Sequence, residues 1–263
     1  MFTMLLALHV IGGSAALLSM FVPMVTRKGG RAHRRAGWVF VAGMAVVSVT
    51  ALLLAGWRVL FDPRPEARTA ALFLFYIAIL TAAGVSTGVR VLRVNRSATA
   101  LRHHTDVAQP VRAASPLRAA AWWDLGISSL LLATSLGMAG FGIANARPLF
   151  AAFSVIGLLS AGGQLAYWLR PPSHHMHWWF EHMSSMLGSC IAATTAFLVV
   201  NAERLGGSPG SLAIWLGPTI VGSPAIAIWT IYYRRKFASG TAALRGTSRS
   251  MPAADPYTPS HTA

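Results

Sequence analysis

The reading of the fold turns on FTMLLALHVIGGSAALLSMFVPMVT, residues 2–26, followed at once by RKGGRAHRR, residues 27–35. The first string is 25 residues without an acid, lysine or arginine, and a helix needs about 20 mostly apolar residues to cross roughly 30 Å of hydrocarbon. The second packs five cations, Arg27, Lys28, Arg31, Arg34 and Arg35, into nine residues. A cleavable export signal has its positive charge in front of a shorter apolar stretch. Here the charge follows, so the segment reads as a membrane anchor whose short N-terminus lies on the far side from the arginines.

The same alternation recurs along the chain. Apolar stretches at Phe2–Thr26, Ala36–Trp57, Thr69–Val89, Ala120–Ile143, Pro148–Leu169, His177–Asn201 and Ser211–Tyr233 predict an all-α, polytopic bundle of about seven transmembrane helices. Only 11% of the 263 residues are charged and 54% are hydrophobic. A soluble domain carries about 25% charged residues, so lipid must replace water over much of this surface. Seventeen of the 22 lysines and arginines fall on the side of the first connection, and the other five are Arg58, Arg64, Arg68, Arg147 and Arg204. Positive residues are retained in the cytoplasm, which predicts the N-terminus outside and the C-terminus inside.

The formal charge of +15 does not point to nucleic acid. It is distributed in short segments between spans, where it sets topology and faces anionic lipid, rather than along one exposed helix or domain. The segment 90–119, with His103, His104, Pro110 and Pro116, reads as an irregular loop. The division expected is a transmembrane domain over 1–236 and a disordered basic cytoplasmic tail over 237–263. Small residues at Gly12, Gly13 and Ala16, Gly84 and Gly88, Gly137 and Gly140, and Gly157, Gly162 and Gly163 predict close helix approach. Pro218 and Pro224 predict a kink in the last span.

No phosphate-binding glycine loop, HExxH, paired CxxC or GxSxG is present, and the lone Cys190 allows no intrachain disulfide. The sequence therefore gives no reason to expect an enzyme. Ionisable residues within spans are costly and become the functional candidates by default. His9 lies in the first span beside the Gly12-Gly13 pair. His33 stands at the mouth of the second, and Asp124 in the first turns of the fourth. The sixth opens with HHMHWWFEH, residues 174–182. On a helix, His174, His177 and Glu181 share one stripe, while His175, Trp178 and His182 share its neighbour. Imidazoles with a carboxylate suit a transition metal, giving His174, His177, Glu181 and His182 as a candidate metal set. His9, His33 and His182 are the candidate ligands of haem b. Estimated depths separate His9 from His182 by about 12 Å, so His33 pairs better with His182. Asp124, Gln164 and Glu181 form a candidate proton or solute path, on the assumption that the second, fourth and sixth spans are neighbours.

The opening His9-Val-Ile-Gly12-Gly13, with Arg27-Lys28-Gly29 and His33-Arg34-Arg35-Ala36-Gly37-Trp38, resembles a family of uncharacterised bacterial multi-span membrane proteins of the domain-of-unknown-function type. His182 is a candidate counterpart further along the chain. The resemblance implies a bacterial inner-membrane protein with histidines on its first, second and sixth helices, and it brings no activity or cofactor with it. Twenty arginines against two lysines also fit a high-GC bacterial genome. The functions left open are haem or metal binding for electron transfer, a proton-coupled transporter or channel, and a non-catalytic accessory or sensory role.

Overall fold

The computed structural model describes residues 2–104, 122–170, 172 and 176–249, with side chains placed to Asn95 in the first stretch and to Phe237 in the last. All the regular structure among them is helical. The helices are α1 (Phe2–Ser19), α2 (Phe21–Val25), α3 (Arg31–Phe61), α4 (Pro65–His104), α5 (Trp122–Ala144), α6 (Pro148–Leu169), α7 (His177–Val200) and α8 (Leu212–Arg249), with a 3-10 turn at Glu203–Leu205. Counting α1 with α2 as one, seven are long and apolar enough to cross a membrane. The chain is a multi-pass membrane protein.

Proline accounts for the break in the first span. Pro23 has no amide proton, and its ring crowds the carbonyl four residues back, at Ser19. The helix stops there and restarts as α2. The last carbonyls of α2 then lack helical partners, and the Lys28 ammonium caps those of Pro23 and Met24 at 2.7 Å each. Gly29, at φ +75°, turns the chain into α3.

The second and third spans run longer than the apolar windows suggested. Helix α4 passes through Arg90 and Arg93 to His104, where the sequence pattern implied an irregular loop. Val91, Leu92, Val94, Ala98 and Leu101 keep a helical spacing there, and no glycine or proline interrupts it before Pro110. The expected tail also begins inside a helix, since α8 continues to Arg249 without interruption at Pro218 or Pro224.

Helix α4 is the hub of the unit formed by residues 1–222. One group is α1, α3, α4 and α7, whose core contains Ala16, Met20, Phe40, Met44, Val85 and Cys190. The other is α4, α5 and α6, packed around Phe73, Tyr76, Ile79, Leu131, Met138, Phe150 and Phe153. The second, fourth and sixth spans (α3, α5 and α7) are therefore not mutual neighbours; each packs on α4. The assumption that they adjoin is replaced by this arrangement. With four helices around it, α4 hides small residues that would otherwise face lipid.

Small residues explain part of this packing. A Cβ on Gly43 would stand 2.6 Å from the Gly12 carbonyl, so α1 and α3 approach backbone to backbone. The Gly12-Gly13 pair thus serves a helix contact, as its small residues predicted. Gly84 and Gly88 let α7 settle on α4 at Ser189 and Ser185. Gly157 leaves room for the Tyr76 and Ser135 hydroxyls. Gly137, Gly140, Gly162 and Gly163 have no neighbour within 4 Å of where a Cβ would be, so the close contacts expected of them are not made within this unit.

Residues from Ser223 onward form a second unit. Along it Trp229, Tyr233 and Phe237 recur every four residues and touch ring to ring.

Candidate functional site

All three haem-candidate histidines belong to the α1, α3, α4 and α7 group, and each has its Nδ1 tied to an oxygen. His182, on α7, has Nδ1 2.8 Å from the Gly88 carbonyl of α4. His33, on α3, has Nδ1 3.2 Å from the Pro23 carbonyl of α2. A carbonyl can only accept, so both rings carry their proton on Nδ1. His9 lies 2.9 Å from Thr50 Oγ1. Thr50 gives its own proton to the Val46 carbonyl at 2.7 Å, so His9 is again the donor. In each neutral ring the Nε2 electron pair is consequently the basic one. Fixing a histidine's tautomer through an acceptor on the other nitrogen is how metal-binding proteins orient such ligands.

The three do not meet. His9 lies at the level of Thr50, 17 residues along α3 from His33, or about 25 Å at helical rise. His33 and His182 are at the same end of the group: Met24, next to the Pro23 that holds His33, and Met186, one turn after His182, pack on the same core. Gly37, one turn beyond His33, has no atom within 4 Å of where a Cβ would be. Met20, Met24, Met44 and Met186 contribute to the apolar wall further in. Two imidazoles with held tautomers would each offer Nε2, the donor type that haem iron and other transition metals take.

The proposed metal set fares differently. His174 and His175 lie outside the described residues. His177 turns toward α6, where its Nδ1 is 2.9 Å from the Tyr167 hydroxyl. Glu181 receives a 3.4 Å hydrogen bond from Ser185 and stands near enough to Tyr167 for their charges to interact. His182 points to α4 instead. Among the described residues, no three histidine, cysteine, aspartate or glutamate side chains converge on one point. The spacing aligned these side chains along α7, but α4 and α6 draw them to different sides.

Asp124 and Gln164 belong to the other helix group. Asp124 is 1% exposed and bonded in two places to Arg90 of α4, with Nε 2.8 Å from Oδ1 and Nη2 2.7 Å from Oδ2. One turn on, the Ser128 hydroxyl lies 2.8 Å from the Asp124 carbonyl and 3.2 Å from Gln164 Oε1. The chain Arg90, Asp124, Ser128, Gln164 therefore links α4, α5 and α6. Glu181, on α7, does not join it through any described hydrogen bond. Sequence reasoning counted Arg90 as a loop cation and missed the pair. The signal was a lone acid inside a span, which calls for a cation on a neighbouring helix. Thr50, Tyr167 and the carbonyls of Gly88 and Pro23 carried no signal of their own.

At the same end, Arg27, Arg31, Arg34 and Arg35 are exposed around His33. Of the described acids, Asp62, Glu66 and Glu203 lie near the other end, Asp124 is paired with Arg90, and Glu181 stands next to His182 on α7. The Asp62 carboxyl, in the connection before α4, is held at about 2 by hydrogen bonds from Arg64. Comparison with known proteins finds no matching family model, no matching curated protein and no matching solved structure.

Proposed function

We propose that this protein holds haem b or a transition metal at the His33–His182 site and serves electron transfer at the membrane. The observation that supports the reading is the pair itself. Two histidines from separate helices have their Nδ1 protons bound to backbone carbonyls, which leaves Nε2 on each as the ligating atom. Bound there, a haem iron would supply one-electron chemistry. The chain's part is to hold both rings by Pro23 and Gly88 and to surround the site with apolar side chains. His9 has the same tautomer at another depth, and its bond to Thr50 is consistent with a contact between α1 and α3.

The resemblance to uncharacterised bacterial multi-span proteins belongs to the same reading. So do residence in a bacterial inner membrane, the arginine-rich end in the cytoplasm, and contact of that end with anionic lipid. The test is an optical spectrum of detergent-purified protein, oxidised and dithionite-reduced, with elemental analysis. A Soret band that shifts on reduction, or a stoichiometric metal, is expected. It should be lost in His33→Ala and His182→Ala and kept in His9→Ala. Protein free of haem and metal after supplementation overturns the reading.

Proton-coupled transport is the second reading, and Glu181 favours it. A carboxyl within a span, with one 3.4 Å hydrogen bond, is the kind of group that relays protons. Flux in proteoliposomes that survives both Glu181→Gln and Asp124→Asn would remove these residues from any such path.

A further inference from the structure

The arginines that open α3 differ from most other described cations in what they face. At the far end Arg64 is paired with Asp62 and Arg147 with Glu66, while Arg68 donates to the Val59 carbonyl. Lys28 caps α2, and Arg90 holds Asp124. Arg31, Arg34 and Arg35 are exposed and form no ion pair with a described residue.

Their place on the helix says what lies against them. Arg31, Arg35, Trp38, Ala42, Ala45 and Val49 follow one another at steps of three or four residues, so they share one face, and all six are exposed. The residues of α3 that its neighbours bury, Phe40, Gly43, Met44 and Ser48 among them, fall off this stripe. The stripe therefore opens with two unmatched cations and continues with Trp38, which is 56% exposed. From Trp38 to Val49 it then runs on for about 16 Å without a polar side chain. A soluble anion would meet the arginines and leave the rest of the stripe unused. An amphiphile meets all of it.

We infer that this face of α3 binds a phospholipid of net negative charge, with Arg31 and Arg35 on its phosphate and its acyl chain along Ala42, Ala45 and Val49. The inference rests on the reading above that this end meets anionic lipid, and it narrows that contact to one position. Arg31 and Arg35 stand one turn apart, with stems that can lie along the helix while their forks reach the headgroup. Guanidinium forks match phosphate oxygens in pairs. Trp38 is placed where an indole prefers to be, between headgroup and hydrocarbon. A zwitterionic lipid carries its own cation beside the phosphate, which competes with the arginines.

The test places the full-length protein in phosphatidylcholine bilayers. It adds either phosphatidylglycerol or phosphatidylcholine, brominated near the glycerol end of the acyl chains. Bromine quenches a tryptophan it touches, and the share of Trp38 is the difference between the parent and Trp38→Phe. Exposed ion pairs are individually weak, so two of them should favour phosphatidylglycerol about fivefold at Trp38. Arg31→Gln with Arg35→Gln should remove most of that advantage and leave quenching by brominated phosphatidylcholine unchanged. Native mass spectrometry of the unmodified protein needs no variant to fold. There phosphatidylglycerol should be retained in preference to phosphatidylcholine, and water-soluble glycerol phosphate should not displace it.

Equal quenching of Trp38 by the two lipids, equal retention, or an advantage that survives loss of both arginines overturns the inference. If the other tryptophans still favour phosphatidylglycerol, the contact with anionic lipid survives as a diffuse one. Displacement by glycerol phosphate would mean a site for a soluble anion and overturns the lipid assignment. No preference at any tryptophan and no retained lipid sinks both.

Discussion

Arg90 and Asp124 face each other across α4 and α5 with both guanidinium-to-carboxylate bonds made, at 2.8 and 2.7 Å, and the aspartate is closed off from its surroundings. Removing one partner of a buried pair leaves an uncompensated charge and costs about 3–5 kcal/mol. The Arg90 side chain is 26% exposed, which tempers that cost at its end. Asp124→Ala should therefore lower unfolding stability by about 2–4 kcal/mol. Arg90→Met with Asp124→Leu should recover more than half of the loss. Stability in mixed micelles measures both, and a single variant as stable as the parent would show that the pair contributes nothing.

Gly157 lies under the hydroxyls of Tyr76 and Ser135, and an added methyl group would collide with both. Tyr76 also donates to the Phe153 carbonyl at 3.0 Å, so it has little freedom to yield. Gly157→Ala is expected to cost about 1–3 kcal/mol, the usual range for overpacking a core. Adding Tyr76→Phe should return part of it. A thermal midpoint that does not move in Gly157→Ala would mean that α4 and α6 separate easily.

The bond from His9 to Thr50 gives a prediction that separates structure from chemistry. Thr50→Val keeps the shape and removes the Oγ1 acceptor of His9, leaving the Val47 carbonyl to take the proton, a loss of about 0.5–1.5 kcal/mol. Binding at His33 and His182, about 25 Å away along α3, should not change. If Thr50→Val abolished a haem spectrum while the fold stayed intact, His9 would have to be moved into the binding site.

Acid should affect the connection between α3 and α4 only at low pH. Asp62 accepts from the Arg64 backbone N–H, Nε and Nη2 at 3.0, 3.1 and 3.0 Å, which holds its carboxyl at about 2 instead of the ordinary 3.8. A lowered folded value means that the stabilisation is present above the ordinary value and fades as pH falls toward 2. Carbon-13 shifts of the Asp62 carboxyl should titrate near 2 and move upward in Arg64→Gln. A midpoint near 3.8 in the parent protein would show that the bonds do not persist in solution.

The seven spans were legible because crossing a bilayer imposes length and apolarity on each segment separately. Which spans adjoin was not. Between Arg68 and Arg90 no face of α4 carries a charge, so hydropathy gives no sign that four other helices meet it. Glycines were legible as packing residues but not by face: Gly12, Gly84, Gly88 and Gly157 look inward, while Gly137 and Gly140 do not. The histidines were legible as costly residues in lipid. The partners of His33 and His182 are backbone carbonyls, which every residue has, and no residue code reveals which one a ring will reach.

Gly88 and Arg90 stand two residues apart on α4. One presents its carbonyl to His182 in the four-helix group, and the other grips Asp124 in the three-helix group. A helix is stiff over so short a distance, so these two contacts cannot move independently. If α4 slides or rolls by a fraction of a turn, the tautomer-fixing bond of His182 and the ion pair of Asp124 must register it together. The two halves of this protein share a single axle.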